Sequence, residues 1–403
     1  MNLNIKKTIA AAVVLMGMAP SAFAGGVQID NKSLTDILIE KGVLTKADAK
    51  TISKSEKLKL EALFYLNTYS QTADTTTAAG TTSTKTSGLA VDRAYFTAKY
   101  SFNDDWMMRL TTDMGNETNL SKKQNIYLKY AYLEGKLAGK AAVLRLGQSH
   151  TPWIDYEQGL WGHRYVAKVM SDQYKFDDSS DLGIGLKGTL LDGMVKYFVT
   201  ESNGTGYGNG ARSNGLDFNS RIGIYPVDGL TLDFQFRDGY RGTKTSVASV
   251  GTSGVKSSFW QGMITYKLAD SRLGFNYMSN KDKANSATAS ITHGGNVSSG
   301  YATAAIGDQV ESTGMSVWGT TKFGDGFGAF ARYENLQNKF SAGGVANALK
   351  EKVSRYMVGA EYTLTKGVDF ALVYDNSKLT NRGGVAANER KDTRYGLYSQ
   401  VKF

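Results

Sequence analysis

Residues 57–66 read Lys57-Leu-Lys-Leu-Glu-Ala-Leu-Phe-Tyr-Leu66. Leu58, Leu60, Ala62, Phe64 and Leu66 share one face at a period of two, and Lys57, Lys59 and Glu61 share the other. Successive side chains of a strand point to opposite faces, so this is a strand with one apolar and one polar side. The same alternation returns downstream in runs of about ten residues, the length of a tilted strand crossing a bilayer. Sixteen segments carry it: 57–72, 89–103, 105–117, 124–136, 141–152, 181–191, 194–203, 217–226, 230–239, 257–269, 271–280, 312–323, 326–338, 352–364, 368–380 and 392–403.

The connections alternate as well. One set is tight and rich in Gly, Asp and Asn, as at Asn103-Asp104, Leu191-Asp192-Gly193, Ala269-Asp270 and Thr365-Lys366-Gly367. These are residues that hairpin turns demand. The other set is long and polar: 73–88, 118–123, 153–180, 204–216, 240–256, 281–311, 339–351 and 381–391. Seven short turns between eight long loops predict an all-β fold, a transmembrane antiparallel β-barrel of about 16 strands over 57–403. Both ends of that barrel then lie on the short-turn, periplasmic side.

Sorting the strands by parity separates the charges. One face collects residues such as Phe96, Met108, Ile126, Leu128, Tyr130, Tyr132, Phe234, Trp260, Phe275, Tyr356 and Leu372, and is almost free of charge. A charge on a lipid-facing position costs about 2–4 kcal/mol at the membrane midplane. The other face holds 18 basic and 7 acidic residues. Arg93, Arg109, Lys129, Arg145, Lys187, Arg221, Arg237, Arg332 and Arg355 are its basic core. In a closed barrel that face lines the lumen, and a positive channel concentrates anions.

Upstream of the strands, Lys6 and Lys7 precede an apolar run from Ile9 to Ala19, followed by Ala22-Phe23-Ala24. This predicts a cleavable signal peptide over 1–24. Its removal takes two lysines and no acid from a chain of formal charge +10. Residues 25–56 are expected to form a short N-terminal periplasmic helical segment, with Leu34, Ile37 and Leu38 on one face.

The remaining composition narrows the chemistry. The chain has 403 residues with 45 Gly, 3 Pro, 3 His and no Cys. Thiolate metal sites, disulfides and a cysteine nucleophile are excluded, and no cofactor or metal is expected. Ser149 and His150 are adjacent in a strand, so their side chains diverge and make a poor hydrolase couple. Asp177, Asp178 and Asp181 lack EF-hand spacing and read as a solvated acidic patch. The basic residues are spread over many strands and form no nucleic-acid patch.

The last segment ends Tyr395-Gly-Leu-Tyr-Ser-Gln-Val-Lys-Phe403, with Tyr395, Leu397, Val401 and Phe403 on one face. It resembles the assembly signal that the outer-membrane insertion machinery reads. Residues 57–403 as a whole resemble the sixteen-stranded bacterial outer-membrane porins. The stretch Arg145-Leu-Gly-Gln-Ser-His-Thr-Pro152 is similar to a strand end of the phosphate-selective O/P-type porin family. That resemblance implies a homotrimer of barrels in the outer-membrane lipid, with inward-folded loops. The third long loop, 153–180, is unusually apolar and commonly sets the narrowest radius in such porins; its candidate constriction residues are His163, Arg164 and Lys168. The expected function is a porin passing small hydrophilic solutes passively, with anions favoured. The alternative is a plugged or structural barrel serving as scaffold, adhesin or sheath for a partner protein.

Overall fold

The computed structural model describes residues 57–403, apart from 117–123, 208–215, 242–254, 285–307, 343–344, 347–349 and 383–384; upstream of 57 it describes only Ile39 and Thr45. The expected signal peptide and nearly all of segment 25–56 lie outside the described residues.

Sixteen staves form one closed antiparallel barrel. They are β1 (Leu58–Thr77), β2 (Gly80–Ser101), β3 (Trp106–Asn116), β4 (Gln124–Ala138), β5 (Ala142–His150), β6 (Ser180–Leu190), β7 (Val195–Ser202) and β8 (Asp217–Ile224). Then come β9 (Leu230–Arg241), β10 (Val255–Leu268), β11 (Ser271–Ala284), β12 (Gln309–Gly324) and β13 (Phe327–Ala342). A two-residue piece, β14 (Val345–Ala346), pairs onto the end of β13. The last staves are β15 (Glu351–Thr365), β16 (Val368–Thr380) and β17 (Glu389–Lys402). Each stave pairs with its sequence neighbours, and β1 pairs with both β2 and β17 to close the ring. The seam runs to the last residue: Phe403 N–H donates to Ala62 O at 3.1 Å and Ala62 N–H to Phe403 O at 2.8 Å. Closure removes the free edges that would otherwise seek partners.

The outer wall is apolar, with Phe96, Ile126, Phe234, Trp260, Phe275, Tyr356 and Leu372 all exposed on it. Tyr395, Leu397 and Phe403 lie there too. Phe403 stacks on Phe64 across the seam, centroids 6.3 Å apart. The short turns use backbone that few residues tolerate. Gly367 sits at φ +90°, and a Cβ there would meet Lys402 O at 2.3 Å.

Two expectations are corrected. Tyr130 and Tyr132 do not share the outer face with Ile126 and Leu128. Thr111 pairs with Tyr130 while Thr112 pairs with Leu128, so Lys129 is an extra residue in a β-bulge. One inserted residue flips every side chain beyond it to the other face. Ile126 and Leu128 are 71% and 42% exposed; Tyr130 and Tyr132 are 2% and 4% exposed, inside the barrel. Glu134 moves inward with them and pairs with Arg145. The second correction concerns 73–88, expected as a loop. There β1 and β2 continue as a ribbon to Thr77 opposite Gly80, leaving a two-residue turn.

Candidate functional site

The connection from β5 to β6 turns into the barrel. Its first helix, α1 (Ile154–Trp161), stops at Gly162, whose φ of 77° is left-handed and whose N–H donates to Gln158 O. Glycine serves there because it carries no Cβ penalty. A single turn, α2 (Met170–Gln173), follows. Apolar loop residues explain the position: Ile154, Trp161, Tyr165, Ala167 and Val169 pack on Trp318, Phe330, Met357, Ala371 and Val373 of the wall. Met170, Tyr174 and Phe176 pack on Phe259, Met278, Leu336, Val353 and Leu379. The inner face of β10–β16 is therefore apolar where the loop docks. Burial of such side chains is worth about 1.5–3 kcal/mol each.

Polar latches fix the loop around this core. Arg332 Nη2 donates to Lys168 O at 2.7 Å, Tyr174 Oη to Glu334 at 3.1 Å, and Tyr156 Oη to Asp233 at 2.9 Å. Glu157 accepts from Trp153 Nε1 at 2.6 Å and Asn276 Nδ2 at 3.2 Å. Burial pushes the Glu157 carboxyl up to about 6 in spite of these donors.

His163 was expected at the constriction, and the structure places it in the latch. It is 4% exposed. Its Nδ1 donates to Trp161 O at 2.8 Å and its Nε2 to Glu361 at 2.9 Å, and Phe330 covers its ring at 4.0 Å. Both nitrogens face acceptors. His150 contrasts with it. There Arg145 Nη1 donates to Nδ1 at 3.3 Å while Nε2 faces Asp155 at 3.0 Å, which suits a neutral ring. Ser149 Oγ donates to the His150 carbonyl at 3.4 Å and not to its ring.

Arg164 and Lys168 sit together on Asp172, at 4.0 and 3.1 Å. Burial would push the Asp172 carboxyl up, but Lys168 and Arg164 hold it down at about 2. Burial pulls the Lys168 ammonium down to about 8, with Asp172 restoring part of the loss.

The nine basic residues assigned to the inner face lie there, mostly beside acids. Arg93 pairs with Asp113 (3.4 Å), Arg145 and Lys187 with Glu134 (2.7 and 2.9 Å) and Arg221 with Asp233 (2.6 Å). Arg237 pairs with Asp217 (3.9 Å), Arg332 with Glu334 (3.1 Å) and Arg355 with Asp375 (2.7 Å). Arg109 and Lys129 form no ion pair among the described residues. Arg109 lies over Tyr130 at 4.7 Å. Lys129 donates to Ser179 Oγ at 2.6 Å and covers Tyr207 at 3.2 Å.

Two cavities flank the docked loop on the short-turn side. The larger, about 500 Å³, has Arg109, Lys140, Arg145, Lys187, Lys196 and Arg221 on its lining, with Asp155 as its one carboxylate. The smaller, about 280 Å³, has Lys267, Arg272, Lys322 and Lys402 with Asp270, Glu361 and Asp369.

Sequence reasoning missed the loop carboxylates Asp155, Glu157 and Asp172 and the apolar inner wall. The wall had a readable signal: Phe259, Met278, Trp318, Phe330, Leu336, Val353 and Met357 are large apolar residues on the polar parity of successive strands. Asp177 and Asp181 are buried instead of solvated, and Asp177 accepts from Asn219 and Gln235.

A closed barrel of sixteen antiparallel strands with its β5–β6 connection folded inside is the porin fold. No protein-family model and no curated protein matches the sequence. Solved structures do. The DcaP outer-membrane channel of Acinetobacter baumannii superposes with a TM-score of 0.57 at 13% identity, over 86% of this chain and 98% of that one. The anion-selective porin of Comamonas acidovorans gives 0.56 at 11% identity, over 86% and 99%. OmpT, an outer-membrane protein of Vibrio cholerae, gives 0.55 at 14% identity, over 87% and 99%. At such identities the likeness speaks for the fold.

Proposed function

We propose that the chain is a non-enzymatic outer-membrane porin, a water-filled channel for passive diffusion of small hydrophilic solutes with anions favoured. The observation that carries this reading is the cavity beside the inward loop, lined by six cations and one carboxylate. Fixed positive charge between low-dielectric walls raises the local anion concentration and repels cations. The loop docks on β10–β16 and leaves this cavity beside it, which favours a constricted channel over a plugged scaffold. The apolar outer wall fits outer-membrane lipid, and the strand carrying Tyr395, Leu397, Val401 and Phe403 fits recognition by the insertion machinery. One solved relative in fold, the Vibrio cholerae OmpT, is described in a trimer form. A homotrimer is proposed here on that likeness and on an outer-wall groove of about 970 Å³ lined by Thr68, Ser70, Ala360, Leu372 and Tyr374.

The deciding measurement is a planar-bilayer recording in a KCl gradient. An anion-selective reversal potential is expected. A cation-selective one would overturn the charge argument, and a silent barrel would favour the scaffold reading. We further propose Arg164 and Lys168 as constriction residues, with His163 holding the loop that presents them. R164Q combined with K168Q is expected to lower the anion-to-cation permeability ratio roughly twofold, since rings of fixed charge set pore selectivity. K85Q, on the exposed β1–β2 ribbon, is expected to leave the ratio unchanged. Equal effects would reject the loop as the constriction.

A further inference from the structure

The cations that line the two cavities all lie on the short-turn side of the inward loop. Together the cavities present ten cationic side chains against Asp155, Asp270, Glu361 and Asp369. Two further acids stand behind them, Glu134 on Lys187 and Asp233 on Arg221. An excess of four positive charges remains on the lining of the two cavities. Lys196, Lys267, Arg272 and Lys402 form no ion pair among the described residues; Lys196 rests on the Tyr225 ring at 4.5 Å. Of the buried charges from the inward loop to the long-loop ends of the strands, acids outnumber the four bases Lys129, Arg237, Arg332 and Arg355 among the described residues. Asp181, Asp217, Asp282 and Glu351 occur there at the strand ends, together with Arg237.

We infer that the lumen is electrically polarised along its axis and that the channel rectifies, passing more current when the long-loop side is positive. This rests on the channel reading above, and it does not require a net anion preference. Anions are the majority carriers in the positive mouth. When the long-loop side is positive, anions move from that mouth towards the region without the excess, and carriers accumulate in the lumen. With the opposite sign they are drawn out faster than the half without the positive excess supplies them, and the lumen is depleted. The effect needs unscreened charge, so it grows as salt falls and the Debye length exceeds ~10 Å.

The test is single-channel recording at both polarities in low and in molar KCl. The chain has no cysteine. Ser83→Cys on the exposed ribbon therefore gives a unique biotin anchor, and streptavidin added to one side reports the orientation. A current ratio of roughly twofold at low salt, falling to unity in molar salt, is expected from a mouth potential of order kT. Lys196→Gln, Lys267→Gln and Lys402→Gln together should bring the low-salt ratio near unity while the channel still conducts. Lys402→Gln alone, the milder change, should lower the ratio part of the way. An open channel with a symmetric current, or with the larger current at the opposite polarity, overturns the inference and leaves the porin reading intact. A barrel that folds and passes no current at either polarity overturns both.

Discussion

Trp161→Ala is expected to raise single-channel conductance and to make the open state noisy. Trp161 is wholly buried between the loop and the wall, edge-on to Trp318 at 5.7 Å and to Phe330 at 5.6 Å. The Arg332 guanidinium lies 4.9 Å from its ring. Truncating a buried Trp costs about 3–5 kcal/mol. Here that cost falls on docking of the loop. The strands keep their ladders, so the barrel should show unchanged heat-modifiability on a gel while the loop samples the lumen. A conductance gain of roughly 1.5- to 2-fold is expected if the loop sets the narrowest radius, because conduction follows pore width. An intact barrel with wild-type conductance would show that the restriction lies elsewhere.

The second large effect is on pH. Burial holds the Lys168 ammonium near 8, below the ordinary lysine range. As pH rises through about 8 the side chain loses its proton and the constriction loses a positive charge. Anion selectivity should therefore be full at pH 6–7 and fall by about pH 9, with the midpoint near the folded value. The stability sign runs the other way. The unfolded chain holds this proton to higher pH than the folded one, so loop docking gains stability as pH rises above 8. Permeability ratios across pH 6–9.5 for the wild type and for K168R decide the matter. Arginine stays charged throughout, so K168R should flatten the profile. A wild-type profile that is flat, or one that K168R leaves unchanged, would remove Lys168 from the permeation path.

The barrel was legible because its signal is repeated. Sixteen alternating segments each carry a weak pattern, and the short and long connections between them confirm one another. What escaped was local. The Lys129 bulge leaves no mark in the alternation, since Tyr130 and Tyr132 read equally well as lipid-facing residues and as lumen aromatics; only pairing with β3 reveals the inserted residue. Its consequence is electrostatic, because it carries Glu134 inward against Arg145 and Lys187. The docking of 153–180 was legible from its apolar composition. The role of His163 was not, because it depends on Glu361, almost two hundred residues away. The polar look of 73–88 suggested a loop because Thr and Ser serve turns and exposed strands alike.

That last segment has a mechanical consequence. β1 is 20 residues long. At about 3.3 Å per residue it is far longer than a tilted crossing, which uses about 9–11 residues. Its upper half is bonded to β2 on one side and to β17 on the other, as far as Thr76 opposite Glu389. The wall at the seam therefore stands as a stiff palisade above the membrane. Its backbone is already spoken for by neighbouring strands, so a protease on that side would find little extended chain to grip. Lys85, the one lysine or arginine between Lys59 and Arg93, is held within that paired ribbon.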